Sequence, residues 1–191
     1  MSTQPQTYLT PEEYLAFERE AEVKHEYYAG EIFAFARASR QHNLMVANVI
    51  RELGNEVKGR PCEVYPSDMR VRVSPTGLYT YPDITVVCGE ARFDDEYSDT
   101  LLNPTVIVEV LSPSTEGYDR GEKFEHYRKL ESLKEYLVIA QERYHVERHV
   151  RQPEGQWLLS ETDSVDAVIE LPSIACRLLV ADIYEKVEFE T

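Results

Sequence analysis

Short aliphatic runs bounded by turn residues alternate along this chain with segments whose apolar residues recur at helical spacing. Thr10-Pro11-Glu12-Glu13 is a helix start, with Thr10 as N-cap, Pro11 at the first helical position and Glu13 able to close a capping box; the spacing predicts a helix over roughly residues 11 to 22. "HEYYAGEIFAFA" reads as two short strands bent at Ala29-Gly30. Ser39 caps a second predicted helix, along which Leu44, Ala47, Ile50, Leu53 and Val57 recur until Gly59-Arg60-Pro61 stops it.

"CEVYPSDMRVRV" reads as a strand pair or one kinked strand, with Pro66 demoting its centre to an edge or bend. Asp83 to Val87 and Thr105 to Leu111 are short aliphatic strands, and the second, apolar on both faces, is expected at the centre of a sheet. The acidic stretch "GEARFDDEYSDT" between them is loop-like. Asp119 to about Ser132 is helical by pattern, and "EYLVIA", "YHVERHV" and "QWLLSE" follow as a run of strands. Two amino-terminal helices, a set of strands, one inserted helix and a closing meander predict an α/β domain with a mixed sheet, which alone decides no function.

Composition narrows the options. The 191 residues suit one domain, 1–191, and the longest apolar runs are far too short to span a bilayer, so the expectation is a soluble, cytoplasmic protein that is not exported and has no membrane partner. Cys62, Cys88 and Cys176 stand singly, with no metal or redox spacing, and are expected to be reduced and packed. A formal charge of -15 opposes non-specific binding to a polyanion.

Against that background a few charged residues sit where apolar ones would be cheaper. In "PTVIVEVLSPST", Val106, Val108 and Val110 share one strand face while Ile107, Glu109 and Leu111 share the other. With both faces covered, Glu109 needs a cation, hydrogen-bond donors or a proton of its own. Asp83 follows Pro82 and opens an aliphatic strand, although a Pro-Asp pair also suits a plain turn. On the next helix, at about 100° per residue, Lys123 falls in the middle of the stripe formed by Phe124, Tyr127, Leu130 and Leu133, although a lysine can also run along apolar surface to reach water. Two carboxylates at neighbouring strand ends with one lysine beside them form a site for Mg²⁺-assisted hydrolysis, and the Val110 carbonyl adds another hard oxygen. His145 and His149 lie about 13 Å apart along a strand and are expected to face solvent, while Ser112 and Ser114 read as turn residues.

Taken in order, "KHEYYAGEIFAFARASRQHN", "YPSDMRVRV", "YPDITVV", "VIVEVLSPST", "DRGEKFEHYRKL" and "EYLVIA" resemble the Uma family of endonucleases, within the PD-(D/E)XK superfamily, over roughly residues 8 to 188. The resemblance implies a restriction-endonuclease-like fold, a central mixed sheet flanked by helices, DNA as substrate, Mg²⁺ or Mn²⁺ as cofactor, and a homodimer where both strands are cut. It also implies that Glu26 joins the acidic cluster and that His42 faces the site as an accessory residue. One position departs from the superfamily pattern: the lysine expected two residues after Glu109 is Leu111, and Lys123 is its match on the following helix. Asp83, Glu109, Lys123 and Glu26 are therefore the catalytic candidates, and Asp83, Glu109 and Val110 the metal ligands. Arg120, Lys123, Arg128 and Lys129 would form a local basic rim. A catalytically inert nuclease-fold domain that binds a protein or nucleic acid is the alternative, and a metal-free carboxylate hydrolase acting on sugars a third reading that leaves the lysine unexplained.

Overall fold

The computed structural model describes residues 8–35, 38–113 and 115–189; the reading of Ser114 as a turn residue lies outside them. In chain order the elements are α1 (Pro11–Glu20), β1 (His25–Tyr28), β2 (Glu31–Ala34), α2 (Arg40–Glu56), β3 (Cys62–Pro66), β4 (Arg70–Val73), β5 (Leu78–Thr80), β6 (Ile84–Cys88), β7 (Thr100–Leu101) and β8 (Val106–Val110). A three-part helical segment follows: α3 (Glu116–Tyr118), a π-helical turn (Asp119–Lys123) and α4 (Phe124–Tyr127). The chain then forms β9 (Glu135–Ile139), β10 (Val146–Arg151), β11 (Trp157–Thr162), β12 (Val168–Leu171), β13 (Cys176–Leu179) and α5 (Val180–Ile183).

The expected mixed architecture is present. A six-stranded sheet has the order β11-β10-β9-β8-β6-β3, and a five-stranded sheet the order β2-β1-β5-β4-β7. Strands β8 and β9 run parallel, so the chain must cross over between them, and the helical segment is that crossover. The alternation read in β8 decides what each face meets. Val106, Val108 and Val110 join Met45, Val49 and Leu53 of α2, whereas Ile107 and Leu111 join Phe124, Tyr127, Leu130 and Leu133 of the crossover. Glu109 shares the second face and so meets the helix carrying Lys123.

Local chemistry sets both amino-terminal caps: the Glu13 amide donates to the Thr10 hydroxyl while Glu13 accepts from the Thr10 amide, and Ser39 accepts from the His42 amide. Ala29 at φ 50° and Gly30 at φ 92° make the predicted bend, in the region that favours glycine.

Several expectations are corrected. "CEVYPSDMRVRV" is neither a pair nor one strand: β3 edges the six-stranded sheet and β4 belongs to the other. The buried stripe of α2 is Met45, Asn48, Val49 and Leu53, with Ala47 exposed, because the Asn48 amide donates to the carbonyls of Ile183 and Glu185. The inserted helix starts earlier and ends sooner than its periodicity suggested, since the π turn shifts its phase. Cys62 and Cys88 are directly opposed across β3 and β6 and form a disulfide, whereas Cys176 is free and buried as expected. The β12–β13 hairpin and α5, which cover the α2 side of the core, have no counterpart in the sequence reading.

Candidate active site

A cleft of about 500 Å³ opens where the N-terminus of α2, the start of β6, the end of β8 and the π turn meet, and His42, Asp83, Glu109, Val110, Asp119 and Lys123 line it. Asp83 and Glu109 clasp each other reciprocally. The Asp83 amide donates to Glu109 Oε2 at 3.3 Å, and the Val110 amide donates to Asp83 Oδ2 at 2.8 Å. The antiparallel pairing of β6 with β8 imposes this, because it brings the residue before β6 opposite the end of β8.

Lys123 is buried, at 4% exposure, and its Nζ lies 2.9 Å from Glu109 Oε1, 3.4 Å from Asp119 Oδ1 and 3.5 Å from Glu26 Oε1. The π turn widens the helix so that Asp119 and Lys123 both face the sheet, and the Tyr136 hydroxyl donates to the Asp119 carbonyl at 3.0 Å. The Tyr127 hydroxyl donates to Glu109 Oε1 at 2.8 Å, and the Tyr118 hydroxyl to Glu26 Oε2 at 3.1 Å. Thr80 donates to the other oxygen of Glu26. His42 completes the wall: its Nε2 meets Asp83 Oδ2 at 3.1 Å, and its Nδ1 is buried without a partner among the described residues.

The electrostatics follow from burial. Removing Glu109 from water pushes its carboxyl well above the usual range, Lys123 pulls it back, and Asp119 and Asp83 push it up again; burial prevails. For Lys123 burial alone would favour the neutral amine, but Glu109, Tyr127, Glu26 and Asp119 outweigh it and hold the ammonium charged. Three carboxylates, from Glu26, Glu109 and Asp119, thus lie within 3.5 Å of a single ammonium, and Asp83 adjoins Glu109 on its cleft side. A further cation entering this partly closed cleft would favour the ionised form of Glu109 that burial opposes. Asp83 and Glu109 offer only hard oxygens, a donor set that suits Mg²⁺ or Mn²⁺.

The sequence candidates Asp83, Glu109, Val110, Lys123 and His42 all converge on this cleft, and Glu26 sits behind Lys123 rather than in the cleft wall. Asp119 and Tyr127 were missed as site residues. Asp119 precedes Lys123 by four positions, a spacing that places two helical residues on one face, and Tyr127 passed as an apolar stripe residue although its hydroxyl needs a partner once buried.

Of the residues read as a basic rim, Lys123 is enclosed by carboxylates and Arg120 is tied to Glu116 and Glu147, whereas Arg128, over the Phe124 ring, and Lys129 are exposed. His145 is corrected: it is buried, with Nδ1 2.6 Å from Asp163 and Nε2 2.9 Å from Glu147, and His149 packs on Phe124. Its strand's odd-numbered face turns toward the crossover helix instead of water. No helix among the described residues is long and apolar enough to cross a membrane.

Known proteins share both the fold and the sequence pattern. A "putative nuclease belonging to DUF820" from Anabaena variabilis ATCC 29413 superposes with a TM-score of 0.76 over 94% of this chain and 99% of its own, at 21% identity. Two uncharacterized proteins of Synechocystis sp. (strain PCC 6803) are closer in sequence. The protein sll1609 is 41% identical over 162 residues, 85% of this chain and 92% of its own length, and slr1290 is 34% identical over 181 residues, 95% and 94% respectively. Residues 11–180 match the Uma2 family, described as "putative restriction endonuclease", and with nearly the whole fold accounted for the chain belongs to that family.

Proposed function

We propose that this protein is a metal-dependent endonuclease that hydrolyses DNA phosphodiester bonds in the cleft between α2 and β8. The observation that carries this reading is the Asp83–Glu109 clasp with the Lys123 ammonium 2.9 Å from Glu109, at the floor of an open cleft. Asp83, Glu109 and the Val110 carbonyl would hold Mg²⁺ or Mn²⁺; the ion would supply Lewis-acid polarisation of a phosphoryl oxygen and a more acidic water.

The chain's own residues do the remaining work. Lys123, kept charged by its carboxylates, offers an ammonium to the charge that grows on the phosphoryl oxygens, which is worth most where water is excluded. Asp119 and Tyr127 position that lysine and Glu109, and His42 orients Asp83 through Oδ2. Glu26 holds Lys123 from behind, itself fixed by Thr80 and Tyr118. Two copies of the chain would cut the two strands of a duplex.

The net charge of -15 favours a second reading, a nuclease-fold binding module without catalysis. Plasmid cleavage in Mg²⁺ separates the two. The first reading expects nicking or linearisation that falls by at least about 10²-fold in Asp83→Ala and in Lys123→Ala; equal cleavage by both variants and the wild type overturns the assignment.

A further inference from the structure

The odd-numbered face of β10 carries a second group of metal-ligating side chains, away from the cleft. One ligand atom each from His145, Glu147 and Glu161 lies within 4.8 Å of the others. Glu147 and Glu161 are directly opposed across β10 and β11, a placement that costs stability for like charges unless a cation sits between them. His145 and Glu147 are buried, whereas the Glu161 side chain is exposed and makes no hydrogen bond or ion pair among the described residues.

The histidine is held as a ligand would be. Its Nδ1 faces Asp163 Oδ1 at 2.6 Å, while its Nε2 faces Glu147 Oε1 at 2.9 Å. Both ring nitrogens meet carboxylate oxygens, so with Nδ1–H given to Asp163, a proton or a metal ion must lie between Nε2 and Glu147. A carboxylate behind the far nitrogen is the arrangement that fixes the tautomer of a metal-bound imidazole. The backbone is held too: the His145 amide donates to the Tyr184 hydroxyl at 3.2 Å, and that hydroxyl faces the carbonyls of Ala140 at 2.8 Å and His145 at 3.0 Å. His149 Nε2 stands 3.9 Å from the other oxygen of Glu147, and burial, then Arg120 and Arg128, disfavour its protonation.

We propose that His145, Glu147 and Glu161 form a binding site for a borderline divalent ion of the Zn²⁺ class, distinct from the oxygen-only Asp83–Glu109 pair. Imidazole nitrogen with carboxylate oxygen is a donor set for Zn²⁺, Co²⁺ or Ni²⁺, and ligand atoms around a tetrahedral ion of this class stand about 3.3 Å apart, so the exposed Glu161 side chain must swing inward while His145 and Glu147, 2.9 Å apart, open slightly. The competitor is Arg120. Its guanidinium contacts Glu147 and is shared with Glu116 Oε1 at 3.0 Å, so among the described residues the three carboxylates of Glu147, Glu161 and Asp163 meet one arginine, itself shared, and the His145 ring. An entering ion takes Glu147 from Arg120, which stays bonded to Glu116.

The test is Zn²⁺ titration of the metal-stripped full chain against a chromophoric chelator, with Co²⁺ visible absorption as the coordination signature. The site should survive Asp83→Asn unchanged and weaken by at least about tenfold in Glu161→Gln, a side chain whose loss breaks no fold contact. Arg120→Ala should bind Zn²⁺ more tightly than the wild type, which a merely structural cluster would not do. Unchanged Zn²⁺ affinity in Glu161→Gln, loss of the ion in Asp83→Asn, or no Zn²⁺ binding by the wild type at micromolar concentration would each overturn the site. None of these results bears on Mg²⁺ binding at Asp83 and Glu109, so the two assignments fail separately.

Discussion

Two acidic regions of this molecule use the same residue types to opposite ends. In the loop between β6 and β7, Asp94 pairs with Arg72, Asp95 with Arg19, and Asp99 with both Arg19 and Arg70, so three carboxylates meet three guanidiniums. At the cleft, Glu26, Glu109 and Asp119 share one ammonium, and Asp83 stands beside Glu109. The titrations diverge accordingly: hydrogen bonding to Arg19, with Arg70 nearby, lowers Asp99 to about 2, whereas burial pushes Glu109 up. Balanced charges clamp a loop onto α1 and β4. Unbalanced ones, buried at the floor of a cleft, are kept where a further cation can enter, and this contrast separates a structural acidic cluster from a candidate site.

The contrast is broken most severely at Lys123. Lys123→Ala leaves Glu109 buried without its ammonium and should cost about 3–5 kcal/mol in denaturant unfolding. Lys123→Met combined with Glu109→Gln removes both charges at similar volume, and should recover most of that stability while remaining inactive. A double variant no more stable than Lys123→Ala would show that the pair is not the source of the loss.

The clamp responds to pH instead. Asp99 has a folded pKa of about 2 against an ordinary 3.8, so its contribution is complete above pH 3.8 and is lost as the pH falls through 2. Acid unfolding followed between pH 4 and 2 should therefore be less steep in Asp99→Asn, and an unaltered slope would count against the clamp. The smallest effect belongs to an exposed acid of neither class. Asp68, 87% exposed, reaches Lys24 at 3.0 Å, and Asp68→Ala should change stability by less than about 0.5 kcal/mol.

Much of the site was legible because simple periods govern it. Alternation in β8 put Glu109 on one face with Ile107 and Leu111, and the helical wheel put Lys123 within an apolar stripe. Asp83 was legible only together with Glu109, since Pro-Asp alone suits any turn. What escaped depended on long-range register or broken periodicity. The π turn shifts the helix phase at Asp119, the pairing of β3 with β6 joins Cys62 to Cys88, and the clamp draws Arg19 of α1 to a loop 76 to 80 residues away in sequence, where the β4 arginines join it. His145 was misread because strand alternation says which residues share a face, not which face water touches.

The central claim is that the cleft's surplus of negative charge serves a divalent cation, and calorimetric titration with Mg²⁺ tests it most directly. The account predicts a binding heat that disappears in Asp83→Asn and Glu109→Gln and persists in Asp99→Asn and Glu161→Gln. Equal heats in all five proteins, or none in the wild type at millimolar Mg²⁺, would contradict it.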